Sequence, residues 1–334
     1  MSHSIALMQE KLLNTPAPHL YSKRKSSWIM QQVMIALVFP TIAAIYFFGW
    51  HVLVMVALGI GSSVAFEYLY QKWKGIDITI SDYSAALTGM LIGLSLPVTA
   101  PWWSIIVGSA FAILIVKQLP GGIGRNAFNP AVAARVMLKV FFTPWITNWV
   151  TPQPDVVSTA TPLQYIGNFS RAVPEHMGHG EFPGLWDLFL GIGLGGNVGE
   201  TSKLAILLGL IYLVGRGIIG LKIPVIYVTA FAAIMSIYGN FSFTYMITHV
   251  LSGTLLFGAV YMATDYSSGA LTPDGKKVFA LGCAILTALI RIVFNFPGGV
   301  GIAILIMNGF APLIDKHFAS RIYGHKKRPA QEHS

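Results

Sequence analysis

Charge is what this sequence has least of. Only 10% of its 334 residues are Asp, Glu, Lys or Arg, while 54% are hydrophobic and the mean hydropathy is +0.64. A soluble globular domain carries about 25% charged residues. The shortage excludes an ordinary soluble fold and implies an integral membrane protein. Cysteine is nearly absent as well. Cys283 is the single one, which excludes a disulfide and a self-contained iron–sulfur cluster, since a cluster takes about four thiolates. An electron carrier built on this chain therefore needs another cofactor. The first 29 residues are polar and basic, with no short apolar stretch running into a small-residue cleavage site. No cleavable signal is expected, and the first apolar span stays as a membrane helix. The net charge of +9 does not point to nucleic acid, because most of it flanks apolar spans, where basic residues report topology.

What is present is a series of apolar runs. Ten candidate spans lie near 30–49, 52–71, 84–98, 102–118, 127–146, 203–220, 223–240, 244–263, 278–295 and 299–315. Residues 186–196, "WDLFLGIGLGG", are too short to cross and form a candidate re-entrant or interfacial segment. Lys23, Arg24 and Lys25 precede the first span, and Lys72 and Lys74 follow the second. Lys117 and Arg125 follow the fourth, Arg216 and Lys222 the sixth, Lys276 and Lys277 the eighth, and Lys316, Arg321, Lys326, Lys327 and Arg328 the tenth. All fall on one side if both termini are cytoplasmic. The loop 147–202 then faces outward, and it is acidic, with Asp155, Glu175, Glu181, Asp187 and Glu200 against Arg171. Trp28, Trp50, Trp102 and Trp103, at span ends, are expected as interfacial anchors.

The halves also resemble each other. "LPGGIGRNAFNPAV" (119–132) is similar to "FPGGVG" (296–301) followed by "NGFAPLI" (308–314), and the preceding spans begin "SAALTGMLIG" and "SGTLLFGAVY". Five spans per half force the second copy to be inverted, and inverted repeats place a site or pathway at their interface. The plainer alternative is a pair of ordinary Gly-Pro turns. The expected organisation is a basic cytoplasmic segment over 1–29, a first five-helix repeat over 30–146, an external loop over 147–202, a second repeat over 203–316 and a basic cytoplasmic tail over 317–334.

Several stretches carry chemistry. In 121–130, Gly121, Gly122 and Gly124 permit close backbone approach. Asn126 and Asn129 offer both donors and acceptors, matching the mixed edge of a flavin ring. Pro130 can start a helix, and Arg125 supplies a cation. A turn with helix-capping asparagines explains the same residues, and no strand precedes it, so it is not a dinucleotide fingerprint. Glu67, Asp82, Asp265, Arg135 and Arg291 lie within or beside spans. They would cost several kcal/mol each if exposed to lipid, so they should face the interior or a wet cavity. Glu67, Asp82 and Asp265 are ion-pathway candidates, or else cap helices near the cytoplasmic interface. Glu200 and Thr201 either start a helix, with Thr201 capping, or contact an external cofactor. "HMGH" (176–179) lacks the further ligands of a metal site.

"DVVSTATPL" (155–163) sets a hydroxyl in an exposed loop, with small neighbours and with Pro162 limiting the backbone after it. It resembles the Asp-x-x-Ser-Gly-Ala-Thr signal at which a flavin transferase joins FMN to threonine through its phosphate. The residues that match are Asp155, Ser158, Ala160 and Thr161, and Thr159 departs where the family has glycine. "GGIGRNAFNPAVAARV" (121–136), "GNVGETSKLAILLGLIYLV" (196–214), "MATDYSSGALTPDGKKVFALGC" (262–283) and "IAILIMNGFAPLID" (302–315) resemble the D subunit of the Rnf electron-transport complex, in order, from about residue 20 to 316. The sister family is the B subunit of the sodium-translocating NADH:quinone reductase, which has a longer amino-terminal region.

The resemblance implies an all-α membrane protein of about ten helices in two inverted five-helix repeats, similar to urea transporters. It implies one component of an ion-translocating ferredoxin:NAD+ oxidoreductase in a bacterial or archaeal cytoplasmic membrane, not catalytic alone, holding FMN on Thr161. Its expected partners are the membrane-embedded A and E subunits, the FMN-bearing G subunit, the iron–sulfur B subunit, the nicotinamide-binding C subunit and a flavin transferase. An outward FMN lies across about 30 Å of membrane from a cytoplasmic nicotinamide site. A second, non-covalent flavin, riboflavin by analogy with the sister family, is therefore expected near 121–130. The alternatives are the B-type component of a quinone reductase and a flavin-free solute channel of the urea-transporter class.

Overall fold

In the computed structural model, residues 26–150, 158–159, 161–166, 176–177, 180–294, 296 and 298–318 are described. Helix covers each apolar run expected to span. The first half contains α1 (Ser26–Phe48), α2 (His51–Lys74), α3 (Ser84–Leu94), α4 (Trp102–Ala110) and α5 (Pro130–Phe141). The second contains α6 (Lys203–Gly215), α7 (Lys222–Tyr238), α8 (Phe243–Leu251), α9 (Leu255–Phe257), α10 (Pro273–Val293) and α11 (Gly299–His317). Two helices continue with a wider, π-helical turn: α4 through Phe111–Gln118 and α9 through Gly258–Met262. On length and composition α1, α2 and α11 can each cross a membrane, and α8 with the segment Leu255–Met262, bent by 59°, makes a fourth. Several others are shorter, 11 residues in α3 and 13 in α6, while α10, with 21, is long but less apolar. Ile42, Leu53, Leu69, Ile211, Ile237 and Leu289 face outward, as suits a surface in contact with lipid rather than water.

Packing is close because small residues stand where helices meet. α2 lies on α3 with Gly59 against Gly89, and a Cβ on either would collide with the other's carbonyl. α7 packs on α10, α10 on α11, α1 on α6 and α5 on α11. The last two contacts join the halves. Pro40, inside α1, has no N–H to give to the carbonyl of Ala36. The Tyr261 hydroxyl gives that hydrogen bond instead, at 3.2 Å. Gly209 of α6 leaves room for the Tyr261 hydroxyl, so three helices meet at one repaired backbone group.

Between the halves the chain forms small elements. Trp149–Val150 (β1) pairs antiparallel with Ser158–Thr159 (β2), and His176–Met177 (β3) with Gly180–Glu181 (β4). A short helix, Pro162–Ile166, follows Thr161. Residues 186–196 do not form a span. They begin in a six-residue helix, Leu185–Leu190, that ends at Gly191 with φ 94°. The chain then docks beside the end of α3, where Val198 donates to the Leu96 carbonyl at 3.0 Å.

Candidate functional site

Two cavities gather the buried polar side chains. One is a cleft lined by the start of α1, by Ser84 and Thr88 of α3, by Lys117, Asn126 and Asn129, and by Tyr261, Asp265 and Ser267. Behind it stands Glu67, 0% exposed in the interior of α2. Lys117, 3% exposed, pairs with Glu67 at 2.6 Å and donates to Ser84 Oγ at 2.5 Å. Gln118 donates to the same Glu67 oxygen at 2.6 Å. The second oxygen, Oε2, is buried with no hydrogen-bond partner among the described residues.

These positions correct two expectations. Glu67 is not a helix cap near the interface but half of a buried ion pair. Lys117 does not merely flank the fourth span, because it lies in the π-helical turn, buried against Glu67. Asp82 and Asp265, by contrast, organise turns. Asp82 accepts from the Ser84 amide at 2.7 Å and from its hydroxyl at 2.5 Å. Asp265 accepts from the Ser267 amide and hydroxyl and from Ser268 Oγ, at 3.2, 2.9 and 2.7 Å. The side-chain bond to an amide two residues on is the local Asx turn.

The glycine-rich stretch divides. Asn129 caps α5, accepting from Ala131 N and Val132 N, and its amide donates to the Met262 carbonyl at 3.3 Å. Asn126 donates to Phe128 O and Ser267 Oγ. Both asparagines are thus structural and also line the cleft. Gly121, Gly122 and Gly124 adopt φ of 118°, 92° and 82°, angles that favour glycine, but they and Arg125 do not line it. Arg125 is exposed, with its Cδ over Gly121.

The second cavity is lined by Thr161, Pro162, Leu188, Gly196, Glu200, Lys203, Ser252 and Gly253, among others. Thr161 is half-buried, with its amide bonded to Gln164 Oε1 at 2.9 Å. Asp155 and Ala160 lie outside the described residues. Of Ser158 only the backbone is described, paired opposite Val150. Glu200 accepts from Asn197 Nδ2 at 2.9 Å and from Arg135 Nη2 at 3.3 Å, and Arg135 also reaches Thr254 Oγ1 at 2.5 Å. Lys203 donates to the carbonyls of Glu200 and Thr201. Thr201 does not cap α6, because its hydroxyl is turned to the Asn197 carbonyl, and Ser202 caps instead. Glu200 and Thr201 do line the cavity beside Thr161.

α6 connects the two places. Lys203 at its start borders the cavity and Leu213 near its end borders the cleft. Ten residues of helix span about 15 Å. Sequence reasoning missed Lys117 and Lys203 as interior cations. It also missed the break at Ser252–Thr254, although a Ser-Gly-Thr triplet inside an apolar run is a readable signal. No group of three His, Cys, Asp or Glu side chains suited to a metal occurs among the described residues.

Comparison with known proteins supplies the family. Residues 13–324 match the NQR2, RnfD, RnfE family. The chain is 41% identical, over 92% of its length and 94% of the relative's, to the D subunit of the Na(+)-translocating ferredoxin:NAD(+) oxidoreductase complex of Acetobacterium woodii. It is 35% identical to the D subunit of the proton-translocating ferredoxin:NAD(+) oxidoreductase complex of Clostridium ljungdahlii, covering 90% of this chain and 92% of that one. It is 34% identical to the D subunit of the ion-translocating oxidoreductase complex of Yersinia enterocolitica, covering 93% and 98%. A match of this extent, running through both cavities, shows that the chain belongs to the NQR2, RnfD, RnfE family.

Proposed function

We propose that this protein is the membrane electron carrier of an ion-translocating ferredoxin:NAD+ oxidoreductase, with FMN esterified through its phosphate to Thr161. The assembly is that of the relatives, which are D subunits of ferredoxin:NAD(+) oxidoreductase complexes. The observation that carries the cofactor is the position of Thr161: the acceptor residue of "DVVSTATPL" is half-buried on the rim of a cavity that also holds a lysine. The residues fit the group, since a hydroxyl meets a cavity with a cation at hand for a phosphate. FMN, when bound, supplies the ability to accept and release electrons, and the chain's residues hold and orient it. Leu163, buried against Gly253, fixes the loop onto the bundle beside Thr161.

The cleft is the candidate for a second, non-covalent flavin of the riboflavin class. Its amide-bearing rim of Asn126 and Asn129 supports that assignment. With both termini cytoplasmic and the Thr161 loop outside, electrons from the outer, FMN-bearing G subunit would pass inward through the two sites toward the nicotinamide-binding C subunit. The membrane-embedded A and E subunits would share the ion movement, with Glu67, Asp82 and Asp265 as this chain's candidate groups. Two Gly-rich turns that lead into mutually packed helices, α5 and α11, support the inverted repeat.

The test is intact mass of the full chain, coexpressed with a flavin transferase, beside Thr161→Ala. One FMN increment in the first and none in the second is the expected result. No increment in either leaves a flavin-free bundle and sinks the reading. Organic extraction of the non-covalent fraction, expected to yield riboflavin, tests the cleft separately.

A further inference from the structure

Beneath Thr161, among the described residues, buried cations outnumber carboxylates. Arg135, Lys203 and Arg291 are 8%, 3% and 5% exposed. Among the described residues, the carboxylate within ion-pair distance of this group is Glu200, paired with Arg135 at 3.3 Å. Among the described residues these three cations face one carboxylate, in a largely apolar bundle. Buried charge is costly unless matched, so the excess calls for an anion.

Part of the set has structural duties. Arg291 donates to the carbonyls of His249 and Ser252, at 2.7 and 3.4 Å, and so satisfies backbone groups left open where α8 ends. Yet Arg291 Nε and Arg135 Nη1 are buried with no acceptor among the described residues. So is the Ser252 hydroxyl, on a residue only 2% exposed that lines the cavity with Thr161. Lys203 uses two of its three protons on carbonyls and borders the same space. Gly253, at φ 71°, keeps the way open. A Cβ there would stand 3.0 Å from Leu163 and 3.5 Å from Arg291 Nη2, between the Thr161 loop and the guanidinium.

We propose that Lys203, the Ser252 hydroxyl and the charge of Arg135 and Arg291 behind them form a seat for a phosphate-class anion. When FMN is attached, the phosphodiester at Thr161 is that anion, and seating it locks the loop onto the break between α8 and α9. This rests on the attachment reading. The same donors suit free inorganic phosphate, and the experiment separates the two sources.

Thermal unfolding of the full chain in detergent reads the seat. Attached FMN, verified by mass, should raise Tm above that of Thr161→Ala. Ser252→Ala should leave Tm unchanged in the Thr161→Ala background, because its hydroxyl bonds to nothing there, yet remove much of the FMN-linked rise. Lys203→Gln should remove more of it. An FMN-linked rise of equal size in wild type, S252A and K203Q overturns the seat while leaving the attachment intact. If wild type carries no FMN, the attachment reading fails on its own. The seat then stands if inorganic phosphate raises Tm in wild type and not in K203Q, and falls if phosphate acts on both alike.

Discussion

The cleft and the Thr161 cavity solve the problem of buried charge in opposite ways. At the cleft, Lys117 meets Glu67 at 2.6 Å, so the cation and anion balance. At the cavity, one glutamate faces an arginine pair and a lysine, and donors remain without acceptors. The difference matters for what each place can receive. A site whose one buried cation is already paired, and whose rim carries Asp265, suits a ligand without a phosphate, such as riboflavin. A cationic site suits a ligand that brings negative charge, such as FMN. Local charge, more than shape, sorts the two flavins in the proposed scheme.

That contrast can be broken most directly at Lys117. Lys117→Met strands the Glu67 carboxylate in the bundle and should cost about 3–5 kcal/mol of stability. Adding Glu67→Leu should restore most of it. Denaturant or thermal unfolding in detergent measures both, and a well-tolerated single variant would show that the cleft does not depend on balance. Gly253→Ala comes next. It forces a side chain into a left-handed conformation, at about 1–3 kcal/mol, between Leu163 and Arg291. It should lower the covalent FMN occupancy read by mass and leave extractable riboflavin alone. Asn129→Ala inverts that pattern. Loss of the α5 cap should cost about 1 kcal/mol, and riboflavin should fall while the covalent increment persists. Arg125→Ala should change stability by less than about 0.5 kcal/mol and leave both flavins in place, because the exposed guanidinium lies outside the cleft.

Much of the bundle was readable because apolar runs and their Gly-Pro boundaries are local signals. Asn129 followed by Pro130 announces the start of α5. Thr161 stood out because the resemblance to an attachment signal is local too. What escaped was pairing at a distance. Nothing near Glu67 names Lys117, 50 positions away, and a lysine at the end of an apolar run usually marks a membrane boundary. The cap of α6 fell on Ser202 rather than Thr201, the usual one-residue uncertainty when two hydroxyl residues adjoin. Gly121, Gly122 and Gly124 stood out as glycines, and all three adopt positive φ. Their task is to turn the chain so that Asn126 and Asn129 reach the cleft.

Both stretches of widened helix, Phe111–Gln118 and Gly258–Met262, border the cleft, through Lys117 in one and Tyr261 in the other. A wider turn holds more residues, so it resets the azimuth of everything that follows. Removing one residue from either stretch would rotate the downstream side chains by about 100°. That rotation would swing the ammonium away from its carboxylate, or the phenol away from the Ala36 carbonyl. Each half of the protein thus aims one group at the cleft by the same means, a local change of helical gauge.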